Sequence, residues 1–224
     1  FQVLPGHFMR IAPQGRECVR YWDIDLDAPL LNGSMEEIAE ELQSRLTEAV
    51  RLGIVSDVPV ATYLSGGIDS SSITGIYSRL CPRKIKTLTI TFDNAGYDER
   101  EYSKRVSEFF DTEYIEFPCS IGPDEIVDLV YHLEHPIVSL LNLPFFLLSK
   151  KAREIGVKVV LTGDGADEIL GGYDYFKVLK AMDFIDRREN DCSKAALRRI
   201  YPHLPPAYNL DSVYCMLKVA ADRF

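Results

Sequence analysis

The sequence predicts an α/β protein with a doubly wound parallel β-sheet and flanking helices. Four short apolar segments rich in β-forming residues alternate with helical segments of about ten or more residues, a pattern typical of parallel strands joined by crossover helices. A glycine-rich turn follows the first of these strands, and another follows the fourth. Ligands of open parallel sheets bind beyond the carboxyl ends of the strands, so we expect a site at these turns.

The predicted elements run in order along the chain. Residues 1–33 contain short β-like stretches separated by Pro-Gly and Gln-Gly turns, which predict a hairpin or strap. Ser34 and Glu37 match a capping box that opens a helix, and Gly53 ends it. The parallel strands are predicted at 58–64, 85–92, 113–117 and 157–161, with helices from about Ser70 to Leu80 and at 98–110, 123–133 and 144–155.

Composition and charge narrow the classes of function. Of the 224 residues, 46% are hydrophobic and 26% charged, which is typical of a folded soluble domain and argues against disorder, collagen or coiled coil. The net charge of -9 disfavours general electrostatic binding of nucleic acid. No apolar run reaches the ~18 residues of a membrane span. The five dispersed cysteines never form C-x-x-C, so we expect a reducing, cytoplasmic location.

The first glycine-rich turn, residues 65–70, reads Ser-Gly-Gly-Ile-Asp-Ser. Its glycines let backbone amides approach a ligand, and the next helix supplies unpaired N–H groups, so the turn is suited to a phosphate. Ser65 and Ser70 add hydroxyl donors, and Asp69 places a carboxylate where a phosphate-bound Mg²⁺ would lie. The alternative is a tight turn in which Ser70 only caps the helix. No G-K-[ST] follows, so this is not a Walker motif.

The second turn, residues 162–168, reads Thr-Gly-Asp-Gly-Ala-Asp-Glu and leads into Gly171-Gly172-Tyr173. Two glycines flank Asp164, and Asp167 follows three residues later. Both turns therefore place carboxylates at the same sheet edge, as two ligands of one Mg²⁺ on pyrophosphate require. The alternative is a solvated acidic loop that caps a helix.

These two turns carry a resemblance to a known family. S-G-G-x-D-S after a strand resembles the PP-loop of the ATP pyrophosphatases, and the second turn resembles the G-E-G-A-D-E-x-x-x-G-Y signature of the asparagine synthetase synthetase domain. Further similar segments are Leu4-Pro5-Gly6-His7, Arg20-Tyr21-Trp22-Asp23, Tyr97-Asp98-Glu99 and Glu134-x-Pro136. The resemblance implies that 1–33 is a strap from a preceding glutaminase domain. It also implies that 34–224 is an ATP-binding synthetase domain truncated at its C-terminus.

The family resemblance further implies an activity. Aspartate would be amidated to asparagine through aspartyl-AMP, with release of AMP and pyrophosphate, and a glutaminase domain would supply ammonia from glutamine. ATP and Mg²⁺ are the implied cofactors, and aspartate and ammonia the partners, with no nucleic acid and no membrane. The resemblance is also compatible with a homodimer.

The resemblance also implies roles for individual residues of this sequence. Asp69 and Asp167 correspond to the Mg²⁺ ligands. Asp164 stands where the family has a glutamate that assists ammonia attack, and it is one methylene shorter. These three residues form the predicted catalytic set. The residues implied to bind pyrophosphate are Ser65, Gly66, Gly67, Asp69 and Ser70, and those implied to frame the adenine and nucleotide are Leu64, Ile90, Thr162 and Gly163.

Two alternatives remain open at this stage. The first keeps the fold and the adenylation but changes the acceptor, as in β-lactam-synthetase-like cyclases or related amidotransferases. The β-lactam enzymes carry a tyrosine where Asp164 stands, so the acidic residue favours ammonia chemistry. The second alternative is a nucleotide-binding module without catalysis.

A few other residues attract attention without a clear role. We interpret residues 145–148 as core, Cys119 as an ordinary packed cysteine, and His132 and His135 as surface residues. The family's catalytic lysine has four candidates that cannot be aligned, namely Lys177, Lys180, Lys194 and Lys218.

Overall fold

A computed structural model describes residues 3–25, 29, 31–94, 96, 98–134, 140, 142–173 and 176. The chain divides into two compact units, Phe1–Glu48 and Ala49–Phe224. The boundary that the sequence predicts after residue 33 stays a prediction. Among the described residues, no helix is long and apolar enough to cross a membrane.

The first unit contains the hairpin that the sequence predicts. Strands β1 (His7–Ala12) and β2 (Gly15–Arg20) pair antiparallel, from His7 opposite Arg20 to Ala12 opposite Gly15. Helix α1 (Met35–Gly53) begins with the predicted capping box. The Ser34 amide donates to Glu37 Oε2 at 2.8 Å, and the Glu37 amide donates to Ser34 Oγ at 3.2 Å.

The second unit is built on a four-stranded parallel sheet. Its strands are β3 (Val60–Tyr63), β4 (Lys86–Thr91), β5 (Glu113–Pro118) and β6 (Val159–Leu161), arranged in the order β5-β4-β3-β6. All three strand pairs are parallel. The chain adds β4 and β5 on one side of β3 and then returns to place β6 on the other side. The predicted doubly wound sheet is thus confirmed, and its topological switch point lies between β3 and β6.

Five helices accompany these strands in the described part of the second unit. They are α2 (Ile68–Leu80), α3 (Arg100–Phe109), α4 (Pro123–Leu133), α5 (Asn142–Glu154) and α6 (Ala166–Leu170). Helix α2 begins two residues before the predicted Ser70, with Gly67 at the N-cap and no side-chain cap. The Ser70 hydroxyl, the alternative cap in the sequence, lies 2.9 Å from Ser65 Oγ instead.

One face of the sheet packs against α5. Leu148 and Ala152 of this helix form a buried cluster with Ala61, Leu88 and Val157. The strand residues that alternate with these point to the opposite face, as the pleat requires. Burial on this face fixes α5 against β4, whose carboxyl end borders the site described below.

The opposite face packs against α2 and is partly polar. Val60 and Tyr77 belong to its apolar cluster, whereas Thr62 in β3 is fully buried and its Oγ1 lies 2.9 Å from Thr74 Oγ1 in α2. Because the two hydroxyls satisfy each other, burying them costs little. Both faces of β3 are therefore covered, as expected of a central strand in a parallel sheet.

Candidate active site

A cavity of about 380 Å³ opens beyond the carboxyl ends of β3, β4 and β6. Its position at the switch point is where open parallel sheets bind ligands. Every site residue predicted from the sequence lines this cavity except Gly66. The predicted residues in the lining are Leu64, Ser65, Gly67, Asp69, Ser70, Ile90, Thr162, Gly163, Asp164 and Asp167.

The loop between β3 and α2 is held by its own serines. Ser65 Oγ lies 2.9 Å from Ser70 Oγ, and the Gly67 amide donates to Ser65 Oγ at 3.2 Å. Ser70 Oγ also accepts from the Ser65 amide at 3.2 Å. These bonds curl the loop around the start of α2, so the unpaired amides of the first helical turn face the same region as the two hydroxyls.

Gly66 packs against α3 and is absent from the cavity lining. Its φ is +88°, and a Cβ there would lie 2.5 Å from Tyr102 Cβ and 2.6 Å from the Ser103 amide nitrogen. Only glycine fits both the backbone conformation and this close approach. The structure thus gives Gly66 a packing position, and its implied contact with pyrophosphate stays a prediction.

The loop after β6 directly touches the first turn of α2, which follows the loop after β3. A Cβ on Gly163 would lie 2.8 Å from Asp69 Cβ and 2.9 Å from the Ser70 amide nitrogen. Gly165, with φ +91°, then turns the chain into α6, which carries Asp167 in its first turn. The structure therefore brings together the carboxylate-bearing turns that the sequence places 95 residues apart, at Asp69 and Asp164.

The cavity lining is strongly acidic. Its described residues include no Lys, Arg or His, and its carboxylates are Asp69, Glu99, Asp164, Asp167 and Glu168. Asp69 and Asp167 are half-buried, whereas Asp164 is exposed. A polyphosphate could enter such a cavity only together with cations.

The half-buried carboxylates of Asp69 and Asp167 suit a magnesium ion that is also bound by phosphate oxygens. No group of three or more His, Cys, Asp or Glu that could hold a metal is found in the part of the chain described by the structure. Mg²⁺ usually takes one or two carboxylates and completes its octahedron with phosphate oxygens and water, so a pair suffices. Asp69 and Asp167 are the residues that would supply this pair.

Sequence reasoning missed several cavity residues. Thr89 is one of them: it is almost fully buried, and its Oγ1 donates to the Leu64 carbonyl at 2.7 Å, immediately before the first loop. Its position between Leu88 and Ile90 at the end of a strand was the available signal. The other unpredicted lining residues are Tyr63, Leu88, Phe92, Glu99, Pro144, Phe145, Leu148, Gly165, Glu168 and Tyr173.

The interpretation of residues 145–148 as core is right for Leu148 and wrong for Phe145. Leu148 is 4% exposed, but Phe145 is 52% exposed and forms part of the cavity wall. A helix that lines a cavity has the same apolar spacing as a helix packed in a core, so the pattern alone does not separate them. Tyr63 lies nearby, with its hydroxyl 2.9 Å from Ser149 Oγ, and burial raises the pKa of this phenol.

Three other sequence features lie away from the cavity or outside the described residues. His132 Nδ1 donates to the Asp128 carbonyl at 2.8 Å, and its ring packs on Phe146. Burial raises the pKa of the Cys119 thiol, in agreement with a packed cysteine. His135 and the four candidate lysines fall outside the described residues.

Comparison with known protein families identifies the family of the chain. The family model described as asparagine synthase matches residues 41–208, which include both loops and every cavity residue named above. The chain belongs to the asparagine synthase family. The resemblance that the sequence motifs carry is thereby confirmed.

The similar proteins include one named as an amidase and others named as asparagine synthetases. An amidase, chyE, from Penicillium rubens is 35% identical over 195 residues, covering 79% of this chain and 29% of the relative. Asparagine synthetase [glutamine-hydrolyzing] 1 from Bacillus subtilis is 31% identical over 200 residues, covering 88% of this chain and 31% of the relative. The chain thus spans about a third of the length of the asparagine synthase family members it matches.

A solved structure with a similar chain path is the NH3-dependent NAD synthetase from Campylobacter jejuni. It is 21% identical, covers 63% of this chain and 61% of its own, and has a TM-score of 0.39. At this TM-score the fold assignment rests on the sheet topology itself.

Proposed function

We propose that this chain forms the amide-forming site of an asparagine synthase family enzyme, where ATP activates aspartate as aspartyl-AMP and ammonia converts it to asparagine. The observation that carries the proposal is the contact of Gly163 with Asp69 and Ser70. This contact unites a phosphate-binding type of loop with a second acidic turn around one cavity, at the switch point of a parallel sheet.

ATP would lie with its phosphates on the first loop. The amides at the start of α2 and the hydroxyls of Ser65 and Ser70 are the donors available to the β and γ phosphates. Leu64 and Ile90 stand at the carboxyl ends of neighbouring strands, where an adenine ring would find apolar contact. Thr162 and Gly163 would border the nucleotide from the β6 side.

Asp69 and Asp167 would hold Mg²⁺ beside these phosphates. When bound, Mg²⁺ would offset the negative charge of the polyphosphate in a cavity whose described lining offers carboxylates and no basic side chain. The same carboxylates would repel ATP that arrives without the metal, so nucleotide binding should depend on Mg²⁺.

The first chemical step is adenylation. An oxygen of the aspartate β-carboxylate attacks the α-phosphorus of ATP, and the bond from that phosphorus to the bridging oxygen breaks, so pyrophosphate leaves with the electron pair. Fixed N–H dipoles and the two serine hydroxyls of the first loop would stabilise the charge that develops on pyrophosphate.

The second step is amide formation. Ammonia attacks the acyl carbon of aspartyl-AMP, the carbon–oxygen bond to AMP breaks, and the nitrogen loses a proton. Asp164 is the proposed acceptor of that proton, because it lines the cavity and its exposure leaves the carboxylate accessible. Ammonia would come from glutamine hydrolysed by a glutaminase domain of the same protein, in the cytoplasm.

A second candidate function keeps adenylation but takes another carboxylic acid or another nitrogen acceptor. It is favoured by the short Asp164 in place of the family's glutamate and by the relative named as an amidase. A nucleotide-binding module without catalysis is less well supported, because Asp69 and Asp167 are both present and line one cavity.

Carboxylate-dependent exchange of labelled pyrophosphate into ATP separates these functions by the acid that is adenylated. The proposal expects exchange with aspartate that exceeds exchange with glutamate at least ~10-fold, about 1.4 kcal/mol of discrimination. Exchange only with a different acid would establish the second candidate. Nucleotide binding without exchange for any acid would establish the binding module and contradict the proposal.

A further inference from the structure

Gly172 lies directly against the carboxylate of Asp167. A Cβ built on Gly172 would overlap Asp167 Oδ1 and would lie 2.9 Å from Asp167 Cγ and 3.3 Å from its Cα. Unlike the preceding Gly171, with φ +69°, Gly172 is not in the left-handed region. The φ of position 172 would therefore accept a side chain, and the Asp167 carboxylate is the group that lies nearest in the space it would fill.

The turn after α6 also fixes the backbone of Asp167. Gly171 ends the helix in the left-handed conformation, and the amides of Gly171 and Gly172 both donate to the Asp167 carbonyl, the latter at 3.0 Å. One residue later, the Tyr173 hydroxyl donates to Glu168 Oε1 at 3.0 Å. The chain thus folds back over α6, and Gly172 meets both the carbonyl and the carboxylate of Asp167.

We infer that Gly172 is a positioning residue for Asp167: the missing side chain at 172 leaves the volume in which the carboxylate is held toward the cavity. The inference rests on the proposed function, in which Asp167 is a magnesium ligand. Mutation of a group that orients a metal ligand commonly lowers metal affinity by about 10- to 100-fold.

The inference separates two effects of a side chain at position 172. Asp167 has a short side chain that turns about χ1, so it would yield to a methyl group by rotation, and the free energy of unfolding would change little. Rotation would, however, carry Oδ1 away from its present position and weaken metal binding. A glycine needed only for folding would show the reverse pattern, with lost stability and unchanged metal affinity.

Manganese binding, followed by electron paramagnetic resonance in the presence of α,β-methylene-ATP, tests the inference without turnover. We expect Gly172→Ala to weaken Mn²⁺ binding about 10-fold, within the range for groups that orient metal ligands. Asp167→Ala should weaken it at least as much, and the double variant should bind no more weakly than Asp167→Ala alone. Gly53→Ala is the matched control, because Gly53 ends α1 and its Cβ would meet only the flexible Leu161 side chain at 3.1 Å.

A crystal structure of Gly172→Ala supplies a second readout that needs no ligand. The inference expects the Asp167 carboxylate to rotate away from position 172 while α6 stays in place. An unmoved carboxylate, or Mn²⁺ affinity equal to that of the wild-type protein, would overturn it. If the carboxylate rotates but the wild-type protein binds no Mn²⁺–nucleotide, the inference on geometry holds and the proposed function fails.

Discussion

Gly163, after β6, lies so close to Asp69, after β3, that a Cβ at position 163 would be 2.8 Å from Asp69 Cβ. The two residues follow adjacent parallel strands, whose register places Val60 beside Val159 and Thr62 beside Leu161. Strand pairing thus sets the distance between the two loops, and a glycine permits their contact. The contact links the acidic turn to the first helical turn of α2.

Gly163→Ala should separate the loop after β6 from the first turn of α2. The added methyl group meets backbone and Cβ atoms, which yield less easily than the end of a side chain, so we expect a loss of about 1–3 kcal/mol in the free energy of unfolding. Affinity for Mg²⁺–ATP should fall with it, at least ~10-fold. Urea denaturation and calorimetric titration measure the two effects, and Gly53→Ala is the control outside the cavity. Unchanged nucleotide affinity would show that the contact between the loops is not needed for binding.

Asp69→Asn should weaken Mg²⁺-dependent nucleotide binding at least ~10-fold, about 1.4 kcal/mol. The amide keeps the shape of the carboxylate but removes the charge that a metal ligand supplies. Titration with ATP at several Mg²⁺ concentrations checks this. Asp128→Asn is the control, since Asp128 pairs with Lys150 on the surface and does not line the cavity. Equal binding by wild-type protein and Asp69→Asn would refute the metal assignment.

Asp164→Asn should separate the two half-reactions. Adenylation needs the first loop and the metal, whereas amide formation needs a proton acceptor, so pyrophosphate exchange should persist while amide formation falls ~10²-fold or more. Asp164→Glu should be tolerated, because the family motif carries glutamate there. Equal loss of both half-reactions would place Asp164 in the nucleotide site, and retention of both would make it a structural loop residue.

Thr89→Val should destabilise the end of β3. The Thr89 hydroxyl donates to the Leu64 carbonyl at 2.7 Å in a buried position, and valine would leave that carbonyl without this donor, at a cost of about 1–3 kcal/mol. Thr89→Ser, which retains the hydroxyl, should recover most of the loss. Urea denaturation compares the variants. A valine variant as stable as the wild-type protein would mean that the hydrogen bond does not support the loop.

Cys119 should react slowly with iodoacetamide near neutral pH. Burial raises the pKa of this thiol. Its thiolate fraction is therefore smaller than that of an ordinary cysteine until the pH exceeds the usual pKa range of a cysteine thiol. Cys18 is exposed and serves as the internal reference. Peptide mapping by mass spectrometry at pH 7 and pH 9 follows both residues. Faster labelling of Cys119 than of Cys18 at pH 7 would contradict the prediction.

Much of the parallel sheet was predictable, because its signals are local. Apolar runs separated by helical periods identify strands such as β3 and β6, and the glycine-rich turns mark their carboxyl ends. The doubly wound fold class was predictable, but the specific pairing of β6 with β3 was not. That pairing suffices to bring Asp69 and Asp164 to one edge of the sheet. The start of α2 was predicted near Ser70 and lies two residues earlier, at Ile68, whereas the contact between the Ser65 and Ser70 hydroxyls is a loop feature that no periodicity reveals.

The cavity walls were less predictable, because they depend on tertiary packing. Phe145 and Leu148 share one apolar helical spacing and both line the cavity, but Phe145 is 52% exposed and Leu148 only 4%. Thr89 looks like any strand threonine until its hydroxyl is seen to support the Leu64 carbonyl. Gly172 likewise reads as part of a turn, and only the position of the Asp167 carboxylate shows what a side chain there would displace.

Transfer of oxygen from aspartate to AMP tests the central claim most directly. The full-length protein is supplied with ATP, Mg²⁺, ammonium and aspartate labelled with ¹⁸O in both oxygens of the β-carboxylate, and the products are analysed by mass spectrometry. Adenylation requires one ¹⁸O in the phosphate of AMP, because the acyl–oxygen bond breaks when ammonia attacks. AMP without the label, or ADP with the label in inorganic phosphate, would contradict an aspartyl-AMP intermediate at this site.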